Sequence, residues 1–344
     1  MGSARNPPLA KPVPSSVTGK ALHDATRPYT QESVVRSWLH VATTFGLITT
    51  LLTVAAIAPS WPLRVAASLL GALVMVRGFI LYHDHMHGAL LPRSPLARLI
   101  FRAYAAVALT PPRSWRDSHN YHHQHVGTIA GSNVGSFPLM TTEMWNASSR
   151  SERIAYRIAR HPLTVLLSYL TIFFGNIVMM ALVKNPRRYW DSAISLLVHG
   201  TLVATIWMTL GFWAVFFSIL LPVAIAAAMG GYLFFAQHNF RGMQLMPPDQ
   251  WTHFDAALVS SSFMKLGPVM NWFTGNIGYH HIHHLNPRIP FYRLPEVMAA
   301  LPEVQHPHTT SLRPGDIADC FRLALWDTHQ GKLITFREAR AQAA

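Results

Sequence analysis

Cysteine is almost missing: Cys320 is the only one in 344 residues. A single thiol excludes an intrachain disulfide, a CxxC zinc site and a cysteine-held iron–sulfur cluster. Charge is scarce too, since charged residues make up 12% of the chain, about half the share of a soluble globular protein. Acidic residues number only 15, and the four longest apolar runs contain none of them. Residues Met1 to about Thr30 lack any apolar run, so they do not form a signal peptide. What is abundant is apolar bulk: hydrophobic residues reach 50% and mean hydropathy is +0.21. That balance excludes intrinsic disorder, and it would leave a water-soluble domain with too much exposed apolar surface. The chain is expected in a lipid bilayer.

Transmembrane helices need about 20 apolar residues. Residues 38–58, 62–82, 193–210 and 212–235 meet that need, with Trp38, Trp61, Tyr189, Trp190 and Trp213 near their ends as interfacial anchors. Arg77, close to the end of the second run, is expected to snorkel. Residues 162–183 are apolar but have cations on both flanks, Arg157 and Arg160 before, Lys184, Arg187 and Arg188 after. Such flanks predict an interfacial or re-entrant segment. With four spans, 26 of the 28 Lys and Arg fall on one side, which accounts for the net charge of +13 without invoking nucleic acid. Amphipathic helices are expected over 93–109 and 314–326. The fold class is thus an all-α integral membrane protein with four spans, interfacial or re-entrant helices and a cytosolic cap. The expected domains are a flexible cytosolic tail (1–33), a membrane domain (34–333) and a C-terminal tail (334–344).

Histidine is the opposite of cysteine, with 20 residues. Three clusters lie just outside the spans: HDHMHG at 83–88, HNYHHQH at 119–125 and HHIHH at 280–284; His238 follows the fourth span. Positions i, i+3 and i+4 share a helix face. His83 and His87, then His119, His122 and His123, then His280, His283 and His284, therefore each point in one direction from a rigid support. Gathering so many protonatable rings is costly unless something compensates, and metal ions do so. Nine imidazoles exceed one ion's needs and suit two transition-metal ions with open positions. His85, His125 and His281 break the shared faces and are expected to be structural. His40 and His199, alone within spans, are expected to be packed or hydrogen-bonded. Asp84, Asp117, Asn120, Asn239 and Asn276 sit beside ligand candidates and are candidates to orient imidazole N–H groups.

A soluble carboxylate-bridged di-iron protein would need Glu-x-x-His pairs on helices. The one such spacing, Glu303 to His306, is followed at once by Pro307. A purely histidine site at the membrane surface points instead to oxidation of something dissolved in the bilayer. The pattern HxxxH, HxxHH, HxxHH, with two spans between the second and third boxes, resembles the membrane fatty acid desaturases. SSFMKLGPVMNWFTGNIGYHHIHHLNPRIPFYRLPE, from Ser261 to Glu296, resembles the delta-12 and related acyl-lipid desaturases of bacteria and plastids, as do AQHNF and ALWDTHQGKL. The resemblance runs from about Val34 to Leu333.

What the resemblance implies is specific. His83, His87, His119, His122, His123, His238, His280, His283 and His284 would ligate two iron ions; dioxygen would be the co-substrate, and two hydrogens would leave adjacent methylenes of an acyl chain held on a lipid, coenzyme A or a carrier protein. It implies cytosolic termini and a dry tunnel for the acyl chain. No HPGG motif of a fused cytochrome b5 domain is present, so electrons would come from a separate ferredoxin, flavodoxin-like protein or cytochrome b5. Arg113, Arg116, Arg288 and Arg293 are candidates to attract an acidic donor. Fatty acyl hydroxylases, acetylenases and carotenoid oxygenases share the boxes and remain alternatives. A metal transporter fits less well, because transport sites sit near the bilayer midplane and these clusters lie beyond the span ends. Short tails without targeting signals lead to the expectation of a bacterial inner membrane.

Overall fold

The computed structural model describes residues 18–129 and 134–343. Among these, four helices are long and apolar enough to cross a membrane: Val34–Ile57, Trp61–His87, Trp190–Leu210 and Phe212–His238. Their limits follow local chemistry. The Ser33 side chain accepts from the Arg36 N–H at the start of the first span, and Pro62 occupies the first turn of the second, where its missing donor costs nothing. Gly211, at φ 85°, makes the tight turn between the third and fourth. The second and fourth spans run on past their expected ends, so His83, His87 and His238 ride on the membrane helices themselves. Gly88, at φ 76°, stops the second span one residue after His87.

The segment 162–183 is a broken, partly widened helix: Pro162–Leu166, then i→i+5 turns over Tyr169–Met180, then Ala181–Lys184. Leu163, Leu166, Leu167, Leu170 and Val183 face outward, while its other side packs on the third and fourth spans. Wide helical turns of this kind are rare and collect at functional sites. The expected helix at 93–109 forms over Pro95–Val107, with Leu96 and Leu99 exposed.

Several expectations need correction. Arg77 does not snorkel. It is 2% exposed and donates to Thr44 Oγ1, to His40 Nδ1 and to the Trp272 carbonyl, with its guanidinium 4.5 Å from the Trp272 ring. These acceptors hold the buried cation between the first two spans and the helix Pro268–Phe273. The N-terminal tail is not loose where it is described: Gly19–Ala25 is helical, and Leu22 is buried among Ala257, Ile282 and Leu285. Residues 1–17 of that tail lie outside the described residues. The helix expected at 314–326 ends at Arg322, because Leu323–Asp327 is a fully buried strand. It pairs antiparallel with Lys332–Thr335 and parallel with Met140–Thr141. The presumed C-terminal tail continues this unit as helix Phe336–Ala343, with Phe336 4.8 Å from the Trp145 ring. A two-stranded parallel pair, Phe263–Lys265 with Thr309–Ser311, leads into the third histidine box.

Candidate metal centre

Four helical supports aim the histidines at one another: the ends of Trp61–His87 and Phe212–His238, the helix Pro112–Gln124 and the six-residue helix His280–Leu285. Their convergence divides nine imidazoles into two groups. His83, His87, His119, His123 and His283 form one; His122, His238, His280 and His284 form the other. Within each group one ring nitrogen per residue lies within 4.8 Å of all the others. The second box thus feeds both groups, since His122 turns to one side while His119 and His123, four residues apart, turn to the other.

The separations test whether an ion fits. In the first group Nε2 of His119 is 3.0 Å from those of His83 and His123, and His123 is 3.2 Å from His283. In the second, His238 Nε2 is 3.0 Å from His122, 2.9 Å from His280 and 3.1 Å from His284. Nitrogens bound at about 2.1 Å and spread by 90° to 109° lie about 3.0 to 3.4 Å apart, so each group can hold a transition-metal ion. The Nε2 of His87 is buried with no hydrogen-bond partner among the described residues, as an atom reserved for a metal would be. Burial first, then the neighbouring imidazoles, holds His119, His123, His280 and His284 well below the ordinary histidine pKa; His122 and His283 shift the same way. Neutral imidazole is the form that ligates.

Outer contacts fix two ring orientations. Nδ1 of His83 donates to Asp84 Oδ1 at 3.1 Å, and Asp84 Oδ2 also accepts from the Phe291 N–H at 2.7 Å. Nδ1 of His238 donates to the Ser260 carbonyl at 3.1 Å. In both rings the Nε2 lone pair is left facing its group. The other four orienting candidates do not touch an imidazole. Asp117 pairs with Arg188 and Tyr189; Asn239 donates to the Cys320 and Leu323 carbonyls and accepts from Arg160; Asn276 donates to the Phe291 carbonyl; Asn120 is exposed.

His85, His125 and His281 turn away and donate to the carbonyls of Leu90, Tyr121 and Val304. His199 donates to the Val107 carbonyl and accepts from the Tyr169 hydroxyl. Two contributors escaped the sequence reading. Trp115 stacks on His119 at 4.4 Å, and its i−4 spacing was a usable signal. Ser260 acts through its backbone carbonyl, which leaves no trace in sequence.

A cavity of about 430 Å³ opens beside the groups. His83 and His119 from the first and His280 from the second line it, and Val76, Phe79, Trp115, Phe173, Ile177 and Phe234 make most of its wall apolar. The size is that of a site for a small organic ligand.

Four membrane helices, two imidazole groups that can each hold an ion, and an apolar cavity touching both define a membrane protein built around a histidine metal centre. The family model for fatty acid desaturases matches residues 59–315. The chain belongs to the fatty acid desaturase family and is an oxidoreductase. It is 28% identical to a fatty acid desaturase of Bacillus subtilis (strain 168) over 81% of this chain and 79% of that protein. It is 25% identical to the chloroplastic omega-3 fatty acid desaturase of Glycine max over 70% of this chain and 54% of that one. A beta-carotene ketolase of Paracoccus sp. (strain N81106 / MBIC 01143) is 26% identical over 69% of this chain and 81% of its own length.

Proposed function

We propose that the protein is a desaturase of membrane-lipid acyl chains, of the delta-12 or omega type, with the nine histidines holding two iron ions. The observation that carries this reading is the apolar cavity whose wall includes imidazoles of both groups. Iron bound there supplies the reduction of dioxygen by two external electrons, coupled to removal of two hydrogens from adjacent methylenes. The chain's own residues do the rest. His83, His119 and His280 place the oxidising centre at the cavity wall, Asp84 and the Ser260 carbonyl hold ligand rings in register, and Phe79, Trp115 and Phe234 exclude water from the acyl chain.

Four spans would put all three boxes and both termini on one face, read as the cytosolic face of a bacterial inner membrane, where a separate electron donor docks. The test is expression with a compatible donor, followed by gas chromatography–mass spectrometry of the lipids. New double bonds, at a fixed position in lipid-bound chains, are expected. A second reading, oxygen insertion as in a hydroxylase or ketolase, draws on the similarity to the beta-carotene ketolase. New hydroxyl or keto groups with no new double bond would replace the first reading with the second.

A further inference from the structure

The main cavity has a smaller neighbour. Val76, Phe79, Phe173 and Gly230 line it and also line a smaller cavity of about 30 Å³, whose far side is formed by Tyr104 and Val223. The two spaces therefore lie on either side of one ring of residues. Phe79 and Phe173 face each other edge-on there, 6.3 Å apart with planes at 90°. Gly230 supplies the gap beside them.

Gly230 and Gly231 are adjacent but occupy opposite situations. A Cβ on Gly231 would come within 2.1 Å of Ser168 Oγ, so that glycine is required by packing. A Cβ on Gly230 would meet no heavy atom within 4 Å, and the backbone there is helical with no positive φ. Glycine within a helix costs about 0.5 to 1 kcal/mol relative to alanine. Neither packing nor conformation asks for it at 230. The space it leaves is cavity. Gly230 lies eight residues before His238 on one helix, about 12 Å below it at 1.5 Å per residue. Whatever passes Gly230 is the distal part of a bound chain, remote from the reacting carbons.

We propose that Gly230, with Phe79 and Phe173, is the constriction that sets the longest acyl chain the site accepts. The inference rests on the acyl-chain reading above. With Gly230 the chain end reaches the ring of aromatic side chains and, through it, a space for about two further groups of water or methylene size. A side chain at 230 would close that path.

The test measures displacement of a fluorescent fatty acid from purified protein by saturated fatty acids of increasing length, with product lengths from expressing cells as a second readout. Gly230→Leu is expected to cut affinity for the longest chains about tenfold or more while sparing shorter ones, since each excluded methylene carries such a factor. Gly230→Ala should give a smaller shift in the same direction. Phe173→Ala should act oppositely and admit chains about two carbons longer. Metal content and elution volume check that each variant is folded. An unchanged length profile in folded Gly230→Leu, or equal weakening at every length, overturns the proposal. Length-dependent binding in a wild type that makes no double bonds would sink the desaturase reading and leave this one standing.

Discussion

Nε2 of His119 lies 3.0 Å from Nε2 of His83, although the rings belong to different helices and are 36 residues apart. Both rings are buried, and His83 already spends its Nδ1 proton on Asp84. Two neutral nitrogens at that distance either share a proton or share an ion, and only the ion also satisfies His87, His123 and His283 beside them.

The division into two groups makes their loss separable. His283→Ala should remove metal from the five-membered group, and His122→Ala from the four-membered one; each variant should lose desaturation while retaining part of its metal. His281→Ala removes a buried ring outside both groups and its hydrogen bond to the Val304 carbonyl. It should keep its metal and lose about 1 to 3 kcal/mol of stability. Elemental analysis and thermal melting of the purified proteins check this, and equal metal loss in all three would undo the assignment of faces.

Asp84 acts through His83 and the Phe291 N–H, so its removal should be felt at the metal without touching it. Asp84→Ala is expected to weaken metal retention about 10- to 100-fold in a chelator titration. Asp84→Asn keeps an acceptor for one of the two donors and should fall between. Asp84→Ala with wild-type retention would reduce the carboxylate to a structural link.

The histidine supports were legible because helical spacing gathers His119, His122 and His123 on one helix, and the spans because length and apolarity suffice; that His122 parts from His119 and His123 was not, because it depends on where His238 and His284 lie. The rest depended on tertiary contacts that spacing does not encode. Arg77 resembles a snorkelling cation until the first span supplies His40 and Thr44. Asp117 and Asn239 neighbour ligands in sequence yet turn to partners 71 and 81 residues away. The strand Leu323–Asp327 reads as helix until Lys332–Thr335 pairs with it. Gly230 is indistinguishable from Gly231 in sequence; only the space around each separates them.

Arg116 is one of the four cations proposed to attract a donor. It is exposed and lies 3.7 Å from Met86 Sδ, at the end of the helix that carries His83 and His87. Arg293 is committed elsewhere, to Glu296 and the carbonyls of Pro28 and Gln31, and Arg113 to the Arg188 carbonyl. Arg116→Glu should therefore raise KM for an acidic protein donor, more so at low salt, and leave turnover with a small chemical reductant unchanged. Arg293→Glu should instead destabilise the fold. Unchanged donor kinetics in Arg116→Glu would leave that charge as an orientation signal only.

The same convergence makes a prediction about crossings. His119 to His123 and His280 to His284 touch, so an even number of membrane crossings must separate them, and the third and fourth spans already supply two. With all four long helices crossing, the segment 162–183 is expected to dip in and return, or to lie along the interface. Single cysteines at Gly88 and Arg288, both exposed, should react with an impermeant maleimide from one face, and one at Ser60, between the first two spans, from the other. The native Cys320 is 2% exposed and should add little background. Labelling of positions 88 and 288 from opposite faces would mean that 162–183 crosses, and the two imidazole groups could not then form as described.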